Sequence, residues 1–244
     1  MTVNRYKKQI LVEQFGKKGQ NKLLNSKVVI IGAGGLGSNS ANILTRAGVG
    51  SIEIVDDDVV DITNLHRTSI FNEEDVGKSK AMVLEKRLKI TNSDVVIHGT
   101  KKKVTRKNIW SLIKNADIVL DGSDNMETRF LINDVCIKQK ISWVYAGVTS
   151  AIGMVMGIVP EKTPCLRCIS QSIPSPIMPS NISTFGIIPG VTASIQCMEA
   201  IKILLGDDIA GLIIYDIWKQ QFEITNLRRN PECICCSKHI FEFL

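Results

Sequence analysis

Over the first 150 residues, short runs of apolar residues alternate with longer stretches in which apolar residues recur every three or four positions. Short apolar runs are typical of buried strands, and the longer period is typical of amphipathic helices. The alternation therefore predicts a doubly wound, Rossmann-like, mainly parallel α/β sheet with helices on both faces. The predicted strands cover 28–32, 51–56, 95–99, 117–122 and 142–148, and the predicted helices cover 36–48, 78–89 and 126–139.

The last third of the chain has a different pattern. Apolar runs at 151–160, 212–218 and 221–227 predict an antiparallel extension, and a helix is predicted over 190–205. Between them, residues 172–190 carry four of the seven prolines, which favours a long loop. No linker separates the two patterns, so we expect one domain over 1–244. Its parts are N-terminal helices in 1–26, a Rossmann-like part in 27–150 and a third part in 151–244.

The composition indicates a globular protein with one sizeable core. The 244 residues are 44% hydrophobic, and the net charge of +6 suits an acidic partner or a polyphosphate. No apolar run approaches the roughly 18 to 20 residues that span a bilayer, and the first ten residues lack the apolar stretch of a signal peptide. We therefore expect a cytoplasmic protein without a membrane contact. The basic cluster at 101–107 has no interleaved aromatic residues, which favours a solvated surface over a nucleic-acid site.

A glycine-rich turn follows the first predicted strand. Gly32, Gly34 and Gly37 fit the G-x-G-x-x-G pattern, in which backbone N–H groups and a helix N-terminus hold a phosphate. Asp56 ends the second predicted strand, about 20 positions further on, where an acidic residue binds ribose hydroxyls. This pattern serves NAD and ATP equally well.

Polar residues beyond the second strand favour ATP. Asn64, Arg67 and Lys80 form a polar and cationic set suited to a triphosphate, whereas hydride transfer needs no such set. The alternative is that Arg67 and Lys80 are surface charges paired with the acidic stretch 72–76.

Two carboxylates follow the predicted strand at 117–122. In an open α/β sheet, ligands bind beyond the carboxyl ends of the strands, so Asp121 or Asp124 is placed to hold a magnesium ion. The alternative for Asp124 is that it caps the helix that begins near Asn125.

Two C-x-x-C pairs predict a closed tetrahedral zinc site if they meet in space. The expected ligands are Cys165, Cys168, Cys233 and Cys236. Cys235 lies between the last two and is an alternative ligand. Cys136 and Cys197 fall in amphipathic helical stretches and are expected in the core.

The order of these motifs resembles that of the ThiF/MoeB/HesA superfamily, the bacterial and archaeal relatives of ubiquitin-activating enzymes. The matching motifs are RYKKQI, GAGGLGS, TNLHR, VGKSKA, DGSDN, the paired C-x-x-C and SIQCMEAIKILLG, and they extend over nearly the whole chain. The resemblance implies an adenylyltransferase that uses Mg·ATP to activate the C-terminal Gly-Gly carboxylate of a ubiquitin-like sulfur carrier in a thiamin, molybdopterin or related pathway. It also implies a homodimer, a structural Zn²⁺ and a carrier-binding role for 151–244.

The resemblance implies a role at the nucleotide site for each matched position. Gly35 leaves room for the phosphates, and Asp56 binds the ribose. Asn64, Arg67 and Lys80 hold the phosphates, and Asp124 organises magnesium. Arg67, Lys80 and Asp124 are the implied catalytic residues. The complete implied set is Gly32, Gly34, Gly35, Gly37, Asp56, Asp58, Asn64, Arg67, Lys80, Asp124 and Asn125.

Two departures from the family pattern affect this picture. Lys8 stands where the family commonly has an arginine that reaches the ATP of the other subunit, and lysine keeps the charge but loses the bidentate geometry. Many relatives also place a reactive cysteine before the last helix, but residues 169–196 contain none. We therefore expect adenylation without a covalent thiol step on that loop, with sulfur coming from a separate donor protein.

Two alternative functions remain at this point. The same fold also adenylates other carboxylates or carbonyls, such as a peptide C-terminus or a tRNA base, although the zinc cysteines disfavour the tRNA branch. An NAD-dependent oxidoreductase is the other alternative. It is disfavoured because no residue resembles a hydride-transfer acid or base.

Overall fold

The computed structural model describes residues 5–170 and 183–244. In the described residues, eight strands form a single mixed sheet in the order β3-β2-β1-β4-β5-β6-β7-β8. The strands are β1 (Lys27–Ile31), β2 (Ser51–Val55), β3 (Val96–Thr100), β4 (Ile118–Asp121), β5 (Ser142–Thr149), β6 (Ile152–Ile158), β7 (Leu212–Asp216) and β8 (Gln221–Thr225).

The sheet confirms the predicted parallel part and its antiparallel extension. Strands β1 to β5 pair in parallel, and β6, β7 and β8 are added in antiparallel pairs beyond β5. The chain runs from β1 to β2 and β3 on one side and then returns to place β4 on the other side of β1. The carboxyl ends of β1 and β4 therefore diverge at a topological switch point, which is where open α/β sheets bind ligands.

Helices cover both faces of the parallel strands. They are α1 (Lys7–Ile10), α2 (Gly16–Leu24), α3 (Gly35–Ala47), α4 (Lys80–Thr91), α5 (Ile109–Ile113), α6 (Met126–Gln139), α7 (Leu166–Ser170) and α8 (Ile188–Leu205). Successive residues of β1 point to opposite faces, so Val28 and Ile30 join one apolar cluster while Val29 and Ile31 join the other. This two-sided burial explains why the strand is an unbroken apolar run.

Several predicted boundaries were wrong by two residues, for local reasons. The strand predicted over 212–218 ends at Asp216, because the carboxylate of Asp216 accepts the backbone N–H groups of Trp218 and Lys219 at 3.0 Å and closes the turn to β8. The last helix begins two residues before the predicted start, with Pro189 in its first turn. Proline is tolerated there because its missing N–H has no helical partner.

Some elements were not predicted from the sequence. The short helices α5 and α7 and the 3₁₀ helices Ile62–Arg67 and Glu73–Asp75 were not identified by periodicity because each is far shorter than the window over which a helical period can be recognised. Most of the loop predicted over 172–190 lies outside the described residues, as does most of the segment before α8 that was expected to work without a reactive cysteine.

Helix α8 is, by length and composition alone, apolar enough to cross a bilayer. In the sequence this stretch is not a continuous apolar run, because Glu199 and Lys202 interrupt it. In the fold, half of the helix is buried, and its apolar residues join the cluster on one face of the sheet. Its composition is therefore accounted for by burial within this fold.

Candidate functional site

A cavity of about 900 Å³ opens at the carboxyl edge of the parallel strands, at the switch point between β1 and β4. Nine of the predicted nucleotide-site residues line it. They are Gly32, Gly34, Gly35, Asp56, Asp58, Arg67, Lys80, Asp124 and Asn125. Three predicted residues, Gly37, Asn64 and Lys8, lie outside its wall.

The glycine-rich turn is packed tightly on one side and open on the other. Gly32 has a φ of +95°, and a Cβ there would lie 2.4 Å from the carbonyl oxygen of Gly122. A Cβ on Gly37 would lie 1.8 Å from the carbonyl oxygen of Gly32. Gly34, at the N-cap of α3, has no atom within 4 Å of its Cβ position and faces the cavity. Gly32 and Gly37 thus hold the turn together, while Gly34 offers open space at a helix N-terminus.

Gly35 has a different environment from the one we expected. A Cβ on Gly35 would lie 3.1 Å from Pro189 and 3.4 Å from Arg67, so the space beside it is occupied by protein. The expectation that Gly35 mainly leaves room for phosphates therefore fits Gly34 better, and Gly35 allows the close approach of α8.

Asp56 is fixed by backbone donors directly after β2. Its carboxylate accepts the N–H of Ala33 at 2.6 Å and the N–H of Asp58 at 2.7 Å. Burial raises the pKa of Asp56, and these two hydrogen bonds and nearby Lys80 act against that rise. The carboxylate therefore ties the end of β2 to the glycine-rich turn at the cavity wall.

Lys80 is the first residue of α4, and it lines the cavity. Its side chain is 10% exposed, and Nζ donates to the Asp58 carboxylate at 2.9 Å. An ammonium group has three donors, so this contact leaves donors for a second partner. The alternative that Lys80 pairs with the acidic stretch 72–76 is wrong, because its partner is Asp58.

Arg67 is the second cation at this end of the cavity. Its Nη1 donates to the carbonyl oxygen of Thr63 at 2.6 Å, and among the described residues it has no carboxylate within ion-pair distance. The alternative that Arg67 pairs with 72–76 is therefore also wrong. Its guanidinium lines the cavity with unused donors, which is suited to an anionic ligand.

Asn64 supports this part of the cavity wall without reaching the cavity. It is buried, and its Oδ1 accepts the backbone N–H of Asp61 at 3.2 Å, while Asp61 accepts from Thr63. This reciprocal cap begins the 3₁₀ helix that carries Arg67. The expectation that Asn64 itself contacts phosphate is not supported by this geometry.

The loop after β4 places Asp124 on the cavity. Asp124 is exposed, and its carboxylate accepts only from the side chain of Asn125, at 3.2 Å, among the described residues. Asn125 is the N-cap of α6 and accepts the N–H of Thr128 at 2.9 Å. The alternative that Asp124 is the helix cap is therefore wrong, and its carboxylate is available to a cation.

Asp121 is not available to a magnesium ion. It is fully buried, one carboxylate oxygen accepts from the backbone and hydroxyl of Ser123, and the other accepts from Nε of Arg129 at 3.0 Å. Burial raises the pKa of Asp121, and the Arg129 guanidinium opposes the rise. Of the two magnesium candidates, only Asp124 faces the cavity.

Three basic residues that the sequence did not assign to the site also line the cavity. Lys102 and Lys103 follow β3 and were expected on a solvated surface; they are exposed, but they also form part of the cavity wall. Arg129 lies at the base of the cavity, in the first turn of α6. The carboxyl-edge position of Lys102 after β3 was a usable signal, whereas the Arg129 contacts were not visible in the sequence.

Lys8 lies in α1, exposed to solvent and away from the cavity of its own chain. Its expected contact with the nucleotide of a partner subunit stays a prediction.

The four predicted zinc cysteines converge. Their sulfur atoms all lie within 4.8 Å of one another, with Sγ–Sγ distances of 4.0 Å (Cys165 to Cys168), 3.6 Å (Cys165 to Cys233) and 3.4 Å (Cys168 to Cys236). A tetrahedral zinc with Zn–S bonds of about 2.3 Å requires sulfur separations of about 3.8 Å. The residues present therefore fit a tetrahedral thiolate site.

The remaining cysteines have other environments. Cys235 is buried, its sulfur accepts from Asn133 Nδ2 at 3.2 Å, and it is not part of the four-sulfur cluster. The expectation that it substitutes for a ligand is not supported. Cys136 and Cys197 are in the core, as predicted, and burial raises the pKa of the Cys197 thiol to about 12.

Comparison with known proteins identifies relatives of this chain. Residues 6–235 match the ThiF family. A sulfur carrier protein ThiS adenylyltransferase of Bacillus subtilis is 39% identical over 248 residues, which cover 98% of this chain and 73% of that protein. A SAMP-activating enzyme E1 of Haloferax volcanii is 36% identical over 242 residues, which cover 97% of this chain and 89% of that protein.

Solved structures show the same fold. The crystal structure of E. coli MccB with ATP has a TM-score of 0.83 and 28% sequence identity, and the match covers 96% of this chain and 74% of that chain. A structure of MccB with N-formylated MccA has a TM-score of 0.85 and 27% identity, over 96% of this chain and 75% of that chain. The fold seen here is therefore one that is known to accommodate ATP in a related protein.

Proposed function

This chain belongs to the ThiF family, and on that basis we propose that it is an ATP-dependent adenylyltransferase that activates the C-terminal glycine carboxylate of a ubiquitin-like sulfur carrier protein. The observation that carries the proposal is the cavity at the switch point, where a glycine-rich turn, a strand-end aspartate and two cations meet. The Bacillus subtilis relative named above, a sulfur carrier protein ThiS adenylyltransferase, supports the choice of substrate.

The proposed chemistry agrees with the residues at the cavity. A terminal carboxylate has a pKa of about 3.5, so at neutral pH it is ionised and needs no general base. One of its oxygens bonds to the α-phosphorus of ATP, the bond to the bridging oxygen breaks, and pyrophosphate leaves. The protein must align the carboxylate with the α-phosphorus and stabilise the negative charge on the phosphates, because these two effects supply most of the catalysis in such transfers.

We assign the following roles. Gly34 and the N-terminus of α3 receive the phosphates, and Asp56 binds the ribose. Arg67 and Lys80 stabilise the charge that develops on the phosphates. Lys80 makes this contact by sharing its ammonium group with Asp58, whose side chain is 66% exposed and free to adjust.

Asp124 and its neighbour Asn125 are the residues that would hold Mg²⁺. A bound Mg²⁺ supplies charge neutralisation on the phosphate oxygens and takes only one or two protein carboxylates. The single exposed carboxylate in the loop after β4 fits this requirement.

The four-cysteine cluster would hold a structural Zn²⁺. A closed four-thiolate site leaves no position for substrate, so the metal would contribute stability and not chemistry. The metal would join residues 165–168, which follow β6, to residues 233–236, which lie beyond the last strand, β8.

We further propose that the enzyme acts as a cytoplasmic homodimer, with Lys8 reaching the nucleotide site of the partner subunit. The 151–244 part would bind the carrier, and a separate donor protein would supply the sulfur. The family membership supports these points, and the net charge of +6 suits an acidic carrier.

A second candidate substrate is a peptide C-terminus. The solved structures that match this fold include MccB bound to N-formylated MccA. The same cavity would perform the same adenylation on a peptide carboxylate, so the two candidates differ only in what the outer surface recognises. The Bacillus subtilis relative named for a sulfur carrier has higher sequence identity to this chain, 39% against 27%.

The proposal is tested by ATP–pyrophosphate exchange with purified ubiquitin-like carriers and with short peptides. We expect exchange only with a carrier that ends in Gly-Gly, and none when its terminal glycine is deleted. Exchange with a peptide but with no carrier would favour the second candidate. Exchange with neither, together with binding of NAD, would overturn the proposal.

A further inference from the structure

We infer that Arg129 is a positioning residue that fixes the loop between β4 and α6, so that the Asp124 carboxylate faces the nucleotide cavity. This inference rests on the proposed function, because it assigns Arg129 to the cation-binding step of that same site.

The guanidinium of Arg129 joins three parts of the chain. Nε donates to the Asp121 carboxylate at the end of β4, at 3.0 Å, and Nη2 donates to the backbone carbonyl of Ser123, at 2.9 Å. Nη2 also lies 3.3 Å from the carbonyl oxygen of Ala146 on β5. The guanidinium also lies over the Tyr145 ring, with its central carbon 5.4 Å from the ring centroid. One side chain therefore links the loop to the end of β4 and to the middle of β5.

The loop held in this way is only four residues long, from Gly122 to Asn125. At its start, the N–H of Gly122 donates to the carbonyl oxygen of Ile31 at 2.7 Å, and at its end Asn125 caps α6. Ser123 is fixed by the Arg129 contact and by its own hydrogen bonds to Asp121. Asp124 carries the loop's exposed carboxylate on the cavity wall, so the direction of this carboxylate follows from its fixed neighbours.

The contact requires an arginine. A planar guanidinium donates along several fixed directions at once, whereas an ammonium group on a flexible stem acts as a point charge. A lysine at position 129 would keep a positive charge near Asp121 but would lose the simultaneous bond to the Ser123 carbonyl. The substitution Arg129→Lys therefore loosens the loop and leaves the buried carboxylate with a cation beside it.

A purely structural role for the pair makes a different prediction. Asp121 is fully buried and the Arg129 side chain is 9% exposed, so removal of either charge affects folding in any case. A positioning role additionally predicts a specific loss in the response to Mg²⁺. Changes in partners that orient a metal ligand typically weaken metal affinity about 10- to 100-fold.

The test measures the equilibrium affinity for ATP with and without Mg²⁺, by calorimetry on the full chain. We expect Mg²⁺ to tighten ATP binding by the wild type, and Arg129→Lys to need about 10- to 100-fold more Mg²⁺ for the same effect. Binding of metal-free ATP should change little. The matched control is Arg87→Lys on α4, which makes the same change in an ion pair outside the cavity wall, where Arg87 lies 2.7 Å from the carboxylate of buried Asp75.

A double-mutant comparison separates positioning from a direct effect. If Arg129 acts through Asp124, adding Arg129→Lys to Asp124→Ala costs no further response to Mg²⁺. Additive losses, or a wild-type Mg²⁺ dependence in Arg129→Lys with only a lower unfolding temperature, would overturn the inference. If Arg129→Lys does not fold, Ser123→Ala is the second variant, because it removes the hydroxyl hydrogen bond from Ser123 to Asp121. It should shift the Mg²⁺ dependence in the same direction. An unchanged dependence would overturn the inference. A wild type that binds no ATP at all would instead refute the proposed function.

Discussion

Two glycines of the same turn have opposite surroundings, and exchanging each for alanine should separate folding from nucleotide binding. In Gly37→Ala, the added methyl carbon lies 1.8 Å from the carbonyl oxygen of Gly32. Gly32 cannot move away easily, because it is itself packed against the backbone of Gly122. In Gly34→Ala, the methyl carbon meets no atom within 4 Å, and the backbone φ of −76° suits alanine.

The expected magnitudes follow from these contacts. Overpacking costs about 1 to 3 kcal/mol, and rigid backbone on both sides places Gly37→Ala near the upper value. For a chain of this size that corresponds to a fall in Tm of about 6 to 12 °C. In Gly34→Ala, alanine is a poorer N-cap than glycine, which lowers stability, but it also reduces the entropy of the unfolded chain, which raises stability. The free energy of unfolding should therefore stay within about 1 kcal/mol of the wild type.

The nucleotide affinity should change in the opposite order. If the phosphates lie over Gly34, the extra methyl group should weaken ATP binding at least tenfold, or about 1.4 kcal/mol. The assays are thermal unfolding followed by circular dichroism and equilibrium ATP binding of the folded variants. Gly190→Ala is the matched control, because its Cβ position is also open but lies outside the cavity wall. Wild-type ATP affinity in Gly34→Ala, or wild-type stability in Gly37→Ala, would refute this reasoning.

The other predictions concern the charges and the thiols. Single alanine substitutions of Arg67, Lys80 and Asp124 should each slow pyrophosphate exchange about 100- to 1,000-fold. Substitution of exposed Lys114 by alanine should leave the rate unchanged. A near-normal rate in any of the three variants would show that the substituted residue does not stabilise the reacting charge. Metal analysis should find one Zn²⁺ per chain in the wild type and in Cys235→Ser but none in Cys236→Ser, and retention of zinc in Cys236→Ser would contradict the four-ligand assignment. Because burial raises the pKa of Cys197 to about 12, this thiol stays protonated at pH 8 and should resist iodoacetamide until the protein unfolds, as mass spectrometry would show.

The sequence predicted the fold well where local pattern and burial agree. Strands such as β1 are buried on both faces and therefore appear as unbroken apolar runs, and α3 ends at Gly48, which adopts the left-handed conformation expected at a helix end. The end of β7 was missed because a single side chain, Asp216, closes the turn, and its effect on the chain is not periodic.

At the candidate site, residue types were easier to predict than their partners. The spacing of Asp61 and Asn64 is that of a helix cap, so the local role of Asn64 was available from the sequence but was overlooked. The pairing of Arg129 with Asp121 could not be predicted from the sequence. The sequence does not show which of the two neighbouring carboxylates, Asp121 or Asp124, is buried. That difference appears only when β5 and α6 pack around the end of β4.

The central claim is that this cavity joins AMP to a carrier carboxylate. The most direct measurement incubates the protein with Mg²⁺, a Gly-Gly carrier and ATP labelled at either the α- or the γ-phosphate, and then follows the label on the carrier. We predict that label from the α-phosphate appears on the carrier and that label from the γ-phosphate does not. Deletion of the terminal glycine should abolish the transfer, and Arg67→Ala should slow it about 100- to 1,000-fold. Transfer of the γ-phosphate, or α-labelling that does not require the terminal glycine, would contradict the account.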